Sequence, residues 1–176
     1  MKFLFSIIAL LCGACLLLAE PKIEVYFSPK GGCTEAVVDS LNKATSTALV
    51  QAYSFTSAPI AKALVDAKRR GLQIQVILDK SQQTGRYSEG DFLQHSAIPT
   101  FVDSKHAIAH SKIMIIDDQT VITGSFNFSK QAEQENADNL LILYDPGLAP
   151  KYAVNWREHF KHSTAYTRKA RLTRPF

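Results

Sequence analysis

Apolar positions recur along the chain at two spacings, and these spacings predict strands and helices in alternation. Strand-like runs cover residues 22–27, 48–53, 72–78, 112–117, 120–123 and 140–144, with a further extended piece around 100–102. Helical spacing covers residues 32–45, about 58–70, about 89–96 and about 148–161. Strands that alternate with helices of roughly 10 to 15 residues are typical of an α/β domain. The pattern therefore predicts a largely parallel central sheet with helices on both faces.

The helix between Ser57 and Gly71 carries the clearest local signals. Thr56 or Ser57 caps its start, Pro59 lies in its first turn, and Gly71 ends it after a basic Lys-Arg-Arg run. The segment 81–89 is polar and is predicted as a loop. Residues 163–176 form a basic C-terminal tail with little to bury, and we expect this tail to be solvated.

The first nineteen residues differ in character from the rest. Lys2 precedes an apolar run that extends to Ala19, and polar Glu20 follows. This order is typical of a bacterial signal peptide over residues 1–19, which predicts a secreted or periplasmic domain at 20–176. An uncleaved membrane anchor is the alternative, and lipid attachment at Cys15 is a third interpretation. Cleavage would leave Cys33 as the single cysteine and so would exclude an internal disulfide.

Composition narrows the class of protein but does not select a function. The chain has 176 residues, 46% of them hydrophobic and 20% charged, which fits one globular domain and excludes a disordered or collagen-like chain. Lys and Arg number 20 against 16 Asp and Glu, for a net charge of +4. This modest excess is compatible with a polyanionic substrate without establishing one.

Candidate chemistry lies in the stretch around the strands 112–117 and 120–123. If Asp118-Gln119 is a two-residue hairpin loop, Lys112 lies opposite Ser125 and His110 lies opposite Asn127. Four polar side chains then meet on one patch at the mouth of a buried apolar strand. Their hydrogen-bond donors suit an anion with several oxygens, of which phosphate is the simplest.

The same residues resemble the signature of the phospholipase D superfamily, H-x-K-x4-D-x6-G-S-x-N. The fixed positions are His110, Lys112, Asp117, Gly124, Ser125 and Asn127. Further stretches, at 52–57, 63–71 and 84–86, look like the small secreted bacterial endonucleases of that superfamily. The resemblance implies a mixed sheet between helices and a phosphodiesterase that needs neither a metal ion nor a cofactor.

This resemblance also implies a role for each motif residue. His110 attacks phosphorus and forms a phosphohistidine, while Lys112, Ser125 and Asn127 bind the non-bridging oxygens. Asp138 stands where the family has a Glu that orients the nucleophilic imidazole. Asp117 and Gly124 are expected to be structural.

The chemistry needs two histidines, but the chain carries the motif once. His95, His106, His159 and His162 lie outside any second copy of the motif. A homodimer that brings His110 beside its own copy across a two-fold axis would supply the second imidazole. A zinc hydrolase is the rival interpretation, but the pairs His106/His110 and His159/His162 lack partners at ligand spacing in the sequence.

The substrate is predicted less directly than the reaction. Lys68, Arg69, Arg86 and the basic tail favour a sequence-nonspecific endonuclease that cleaves DNA and/or RNA. A phospholipase D that hydrolyses phospholipid headgroups is the alternative, and a non-enzymatic nucleic-acid binding module is the remaining class. The intact motif argues against the last.

Overall fold

The computed structural model describes residues 22–169, so the proposed leader at 1–19 and the end of the basic tail lie outside the described residues. The strands are β1 (Lys22–Phe27), β2 (Thr47–Ala52), β3 (Gln73–Asp79), β4 (Thr100–Asp103), β5 (Lys112–Ile116), β6 (Thr120–Gly124), β7 (Asn139–Tyr144) and β8 (Thr164–Ala165). The helices are α1 (Cys33–Lys43), α2 (Ala58–Arg69), α3 (Gly90–His95), α4 (Lys130–Gln134) and α5 (Ala149–Lys161), with a short 3-10 turn at Lys80–Gln83. Within the described residues, no helix is long and apolar enough to span a bilayer.

The strands form one mixed sheet in the order β1-β7-β6-β5-β2-β3-β4-β8. The α/β class with a mixed sheet is thus confirmed, but the expectation of a largely parallel sheet is wrong. Across residues 22–169, only the pairs β2–β3 and β3–β4 are parallel, and the other five are antiparallel. A parallel neighbour needs a crossover of about a dozen residues, whereas β5 and β6 are joined by three.

Helices cover both faces of the sheet, as the sequence predicts. On one face α1, α2 and α3 pack on the larger core, through buried residues such as Leu41 and Leu64. On the other face α5 packs through Trp156, whose indole N–H donates to the Val50 carbonyl at 2.9 Å. Burial from both sides explains why the run Ile113–Ile116 in β5 is apolar at every position.

The β5–β6 hairpin has a different register from the predicted one. Ile116 pairs with Thr120, so the loop is the three residues Asp117-Asp118-Gln119 and not the two that the sequence suggested. Asp117 and Asp118 both adopt positive φ, near 55° and 52°, and the Gln119 N–H donates to the Ile116 carbonyl at 3.0 Å. Asp tolerates this left-handed conformation, which is why the longer loop forms here.

Part of the predicted basic tail is docked on the domain. Residues of β8 pair with β4, and the next residue, Tyr166, is fully buried against Gly90, where a Cβ would lie 2.6 Å from the tyrosine ring. Beyond it, the Arg168 guanidinium lies 3.4 Å from the Asp91 carboxylate. The segment 163–169 therefore belongs to the folded domain, since its one large aromatic side chain is buried in the core.

Candidate active site

Three strand ends meet at one edge of the sheet and form a cleft. Ala52, at the carboxyl end of β2, pairs with Lys112 at the start of β5, and β6 ends nearby at Gly124. The cleft has a volume of about 670 Å³. It is lined by His110, Ser111, Lys112, Ile113, Thr123, Gly124, Ser125, Asn127, Asp138 and Tyr152. The structure thus brings together all five residues that the sequence suggested as catalytic, despite the shifted register.

His110 stands exposed at the entrance of the cleft. Its ring contacts Tyr53 edge to face, with 4.6 Å between ring centroids. The backbone just before it is fixed, because the Ala109 N–H donates to the buried carboxylate of Asp79 at 2.8 Å. The imidazole is therefore accessible to a substrate while its main chain is held in place.

Lys112 is the cationic group of the cleft and is only 7% exposed. Burial lowers the pKa of its ammonium group, and the negative charge of Asp138 partly opposes this shift. The Nζ donates to the His110 carbonyl at 2.7 Å and lies 5.3 Å from the centre of the Tyr53 ring. An ammonium group has three donors, so two remain for an anion in the cleft.

Ser125 is held by hydrogen bonds at the cleft wall. Its Oγ donates to Asp138 Oδ1 at 2.8 Å and accepts from the backbone N and the Nδ2 of Asn139 at 3.1 Å and 3.3 Å. A hydroxyl has one proton, and here that proton goes to Asp138 and not to an anion. Ser125 therefore holds the carboxylate of Asp138 in this structure.

Asp138 is fixed through its main chain but makes no hydrogen bond to His110 in the described part of the chain. Its N–H donates to Ser28 Oγ at 3.1 Å, and its carbonyl accepts from the Ser28 N–H at 3.0 Å. Among residues 22–169, no hydrogen bond joins Asp138 to His110. Asp138 Oδ2 is buried and has no hydrogen-bond partner within the same residues.

Asn127 Oδ1 is a second buried acceptor in the cleft wall that has no hydrogen-bond partner in the part of the chain that the structure describes. Unpaired buried oxygens are rare in folded proteins, and two of them on one cleft indicate a place where a ligand or a moving side chain supplies the missing contact. The amide of Asn127 can also turn over, which would present its NH2 donors to the same place.

The two motif residues expected to be structural lie in positions that fit this role. Asp117 stands at the other end of β5 from His110, where its carboxylate accepts from the backbone N–H groups of Thr45, Ser46 and Thr47. Burial alone would raise the pKa of Asp117, but these hydrogen bonds outweigh it and lower the pKa to about 2.

Gly124 ends β6 with φ near 147°, a conformation that side chains disfavour. A Cβ at this position would lie 2.2 Å from the carbonyl oxygen of Asn139. Only glycine allows β6 and β7 to approach this closely beside the cleft.

The structure does not bring the suggested substrate-binding cations to the cleft. Lys68 and Arg69 lie in the last turn of α2, about 16 Å along the helix from its start near the cleft, and Arg69 pairs with Asp66. Arg86 is exposed, and its guanidinium lies 5.4 Å above the ring of Tyr87. Tyr87 in turn lines a neighbouring cleft of about 880 Å³.

Sequence reasoning missed the side chains that support the site. Tyr53 contacts both His110 and Lys112, and Asp79 and Ser28 hold the backbone on either side of the cleft. Tyr53 ends a predicted strand, and Ser28 and Asp79 each directly follow one. This position at a strand end is the sequence signal that could have identified them. Recognising them needed the strand order, since β2 and β5 are far apart in sequence.

An α/β domain with His, Lys and Asn gathered at one edge of a mixed sheet defines a class of phosphate-binding enzyme. Comparison with known proteins identifies the family. Residues 37–163 match the family described as cardiolipin synthase, PLD-like domain. A phospholipase D from Rickettsia conorii is 38% identical over 139 residues, which span 79% of this chain and 70% of that protein. The chain belongs to the phospholipase D superfamily of phosphodiesterases.

Solved structures agree with this assignment. A phospholipase D family member, Nuc from Salmonella typhimurium, matches with a TM-score of 0.81 at 37% identity, over 84% of this chain and 99% of that one. NucT from Helicobacter pylori matches with a TM-score of 0.78 at 23% identity, over 84% of this chain and 100% of that one, and shows the same fold.

Proposed function

We propose that the protein is a metal-independent endonuclease that cleaves DNA and/or RNA without sequence preference. The observation that carries this proposal is the convergence of His110, Lys112 and Asn127 on one open polar cleft. We also propose a secreted or periplasmic location, on the basis of the apolar stretch at 1–19 alone.

In the proposed reaction, a ring nitrogen of His110 attacks phosphorus and forms a P–N bond as the P–O bond to the leaving strand breaks. The departing oxygen takes a proton from a second imidazole, His110 of the partner subunit. The same imidazole then removes a proton from water, whose oxygen attacks phosphorus and releases His110. The exposed position of His110 suits the in-line approach that both steps need.

Lys112 provides the positive charge that the transition state requires. Among residues 22–169 its Nζ makes one hydrogen bond, to the His110 carbonyl, and its burial strengthens the interaction with an anion. Asn127 adds amide donors beside it. Ser125 acts indirectly by holding Asp138, whose unpaired Oδ2 is available to an imidazole N–H once the His110 side chain turns toward it.

The homodimer is supported by an apolar row beside the cleft. Ile23, Val25 and Phe27 alternate along the edge strand β1 and are 53%, 49% and 64% exposed. Phe27 pairs with Asn139, the neighbour of Ser125, so the row runs up to the cleft wall. A second copy that covers this row would bring its own His110 near the first, as an isologous interface requires.

Nucleic acid is favoured by the surface next to the cleft. The exposed ring of Tyr87 carries the Arg86 guanidinium on its face, an arrangement on which unpaired bases can stack. Its cleft borders the catalytic one through Ser129, two residues after Asn127. A strand bound by its phosphate at Lys112 could thus extend toward Tyr87.

A phospholipid is the second candidate substrate, and a specific observation favours it. The same exposed row of Ile23, Val25 and Phe27 could contact acyl chains while a headgroup phosphate occupies the cleft. The relatives from Rickettsia carry the name phospholipase D.

The test is hydrolysis of plasmid DNA, RNA and phosphatidylcholine vesicles, each with excess chelator, by the wild type, His110→Gln and His95→Gln. The exposed His95 side chain bonds to the Asp91 carbonyl of its own helix and lies outside the cleft lining, so His95→Gln is the matched control. We expect the wild type and the control to cleave nucleic acid and His110→Gln to be inactive. Cleavage of lipid alone would contradict the nuclease, and loss of activity with chelator well below the unfolding temperature would contradict the metal-independent mechanism.

A further inference from the structure

Three histidines surround one carboxylate oxygen outside the catalytic cleft. Oδ2 of Asp103 lies 2.8 Å from His159 Nδ1, 3.0 Å from His106 Nδ1 and 3.2 Å from His162 Nε2. All four atoms lie within 4.8 Å of one another. Neither the family motif nor the proposed reaction uses any of these residues.

Two distant parts of the chain build this cluster. Asp103 ends β4, and His106 lies three residues later in the loop that leads to His110. His159 and His162 come from the C-terminal end of α5, three residues apart and so on one side of it. Because α5 packs across the sheet face, its C-terminal end meets the end of β4.

Three imidazole nitrogens surround Asp103 Oδ2, and one carboxylate oxygen cannot accept a hydrogen bond from all three. The other carboxylate oxygen of Asp103, Oδ1, already accepts from the Lys105 N–H at 3.0 Å. Oδ2 accepts from His106 and His159. His162 Nε2 is buried 3.2 Å from Oδ2 and, within residues 22–169, makes no hydrogen bond of acceptable geometry. A carboxylate oxygen has about two acceptor positions, so the third imidazole nitrogen points into the cluster unpaired.

The spacing suits a tetrahedral metal ion. Zinc bonds of about 2.0 to 2.2 Å place neighbouring ligand atoms about 3.3 to 3.5 Å apart. The three distances from Oδ2 are shorter than that, and all four ligand atoms lie within 4.8 Å of one another, so rearrangement of the side chains would place them around an ion. The Asp103 side chain is fully buried, whereas that of His106 is 44% exposed, which provides a path for the ion to enter.

We propose that Asp103, His106, His159 and His162 bind one divalent transition-metal ion of the zinc class. Three imidazoles and one carboxylate would supply four protein ligands to a tetrahedral ion and leave no position open, as in a closed structural site. The ion would fasten the end of α5 to β4 and to the loop that carries His106 toward the nucleophile. Its role is structural, so the proposal is independent of the metal-free reaction at His110.

The first test is metal binding to the purified full-length protein after chelator and dialysis. We expect about one zinc ion per chain and a rise in Tm of roughly 5 to 10 °C at saturating zinc. His162→Gln should lose the rise, and His95→Gln should keep it. Equal zinc binding and equal Tm shifts in the two variants would overturn the proposal, as would no shift in the wild type.

A second measurement does not depend on the folding of a variant. The wild type loaded with Co²⁺ should show the intense visible absorption of tetrahedral cobalt, and one equivalent of zinc should remove it. A weak octahedral spectrum would overturn the closed site. Hydrolysis assays run in parallel distinguish the two proposals, because loss of the metal should lower the Tm and leave the rate at low temperature unchanged.

Discussion

Asp117 and His110 flank the same strand, and their environments explain why one motif residue is structural and the other is available for chemistry. The carboxylate of Asp117 is saturated by hydrogen bonds from residues 45–47, whereas the imidazole of His110 is exposed with Tyr53 on one side. Spacing alone could identify both residues as part of one motif. It could not say which of them faces solvent, since that depends on the chain segments that pack around each.

Asp117→Asn tests the structural role through its pH dependence. The native pKa, about 2, lies below the unfolded value of about 3.9, so the charge stabilises the fold above about pH 4 and this contribution is lost as pH falls toward 2. We expect the variant to lower the free energy of unfolding by about 1 to 2 kcal/mol near pH 7, with the difference shrinking below about pH 4. Urea unfolding of both proteins at a series of pH values measures this difference in the free energy of unfolding. A difference that does not change with pH would contradict the electrostatic explanation.

At the scale of elements, long periodic segments were predictable and short ones were not. The predicted helix at 148–161 is α5 (Ala149–Lys161), because its apolar stripe faces the sheet and Pro150 starts it. The five residues of α4 and the two of β8 have no periodicity to detect, since tertiary contacts create them. The predicted hairpin register was wrong because Asp117 and Asp118 adopt left-handed φ, which adds one residue to the loop.

Tyr166→Ala tests whether the segment after α5 is docked. Its ring is fully buried, and its main chain bonds to Thr100 and Gln94. We expect a loss of about 3 kcal/mol in the free energy of unfolding, as for other large aromatic truncations. Tyr166→Phe is the control and should lose much less, because it keeps the buried ring and removes a hydroxyl whose hydrogen bond to the Gln82 carbonyl is long, at 3.4 Å. Equal stability of Tyr166→Ala and the wild type would show that the segment is a free tail.

At the scale of the whole molecule, the catalytic cleft was largely predictable and its surroundings were not. The motif and the family resemblance pointed to all five residues suggested as catalytic, and these residues line the cleft because they lie at or next to the ends of the neighbouring strands β5, β6 and β7. The cluster around Asp103 escaped detection, since residues 103–106 and 159–162 meet only through the packing of α5. The sequence shows no sign of a zinc site here, because no ligand lies at metal-binding spacing from His159 and His162 along the chain. In the fold, Asp103 at the end of β4 lies beside His159.

Subunit mixing tests the shared site. If subunits exchange freely, wild type and His110→Ala mixed at constant total protein should show activity that falls as the square of the wild-type fraction. An equal mixture should therefore retain about one quarter of the activity of the same amount of pure wild type. A mixture with His95→Gln should retain all of it. A linear decline, with about one half remaining in the equal mixture, would show that each subunit works alone.

The most direct measurement of the central claim is the covalent state of His110 during turnover. The wild type is mixed briefly with a short oligonucleotide in excess chelator, quenched in denaturant and digested for peptide mass spectrometry. We expect a nucleotide joined through its phosphorus to His110 in the wild type, and neither adduct nor cleavage with His110→Gln. Cleavage by the wild type without any adduct on His110, together with cleavage by His110→Gln at a comparable rate, would contradict it.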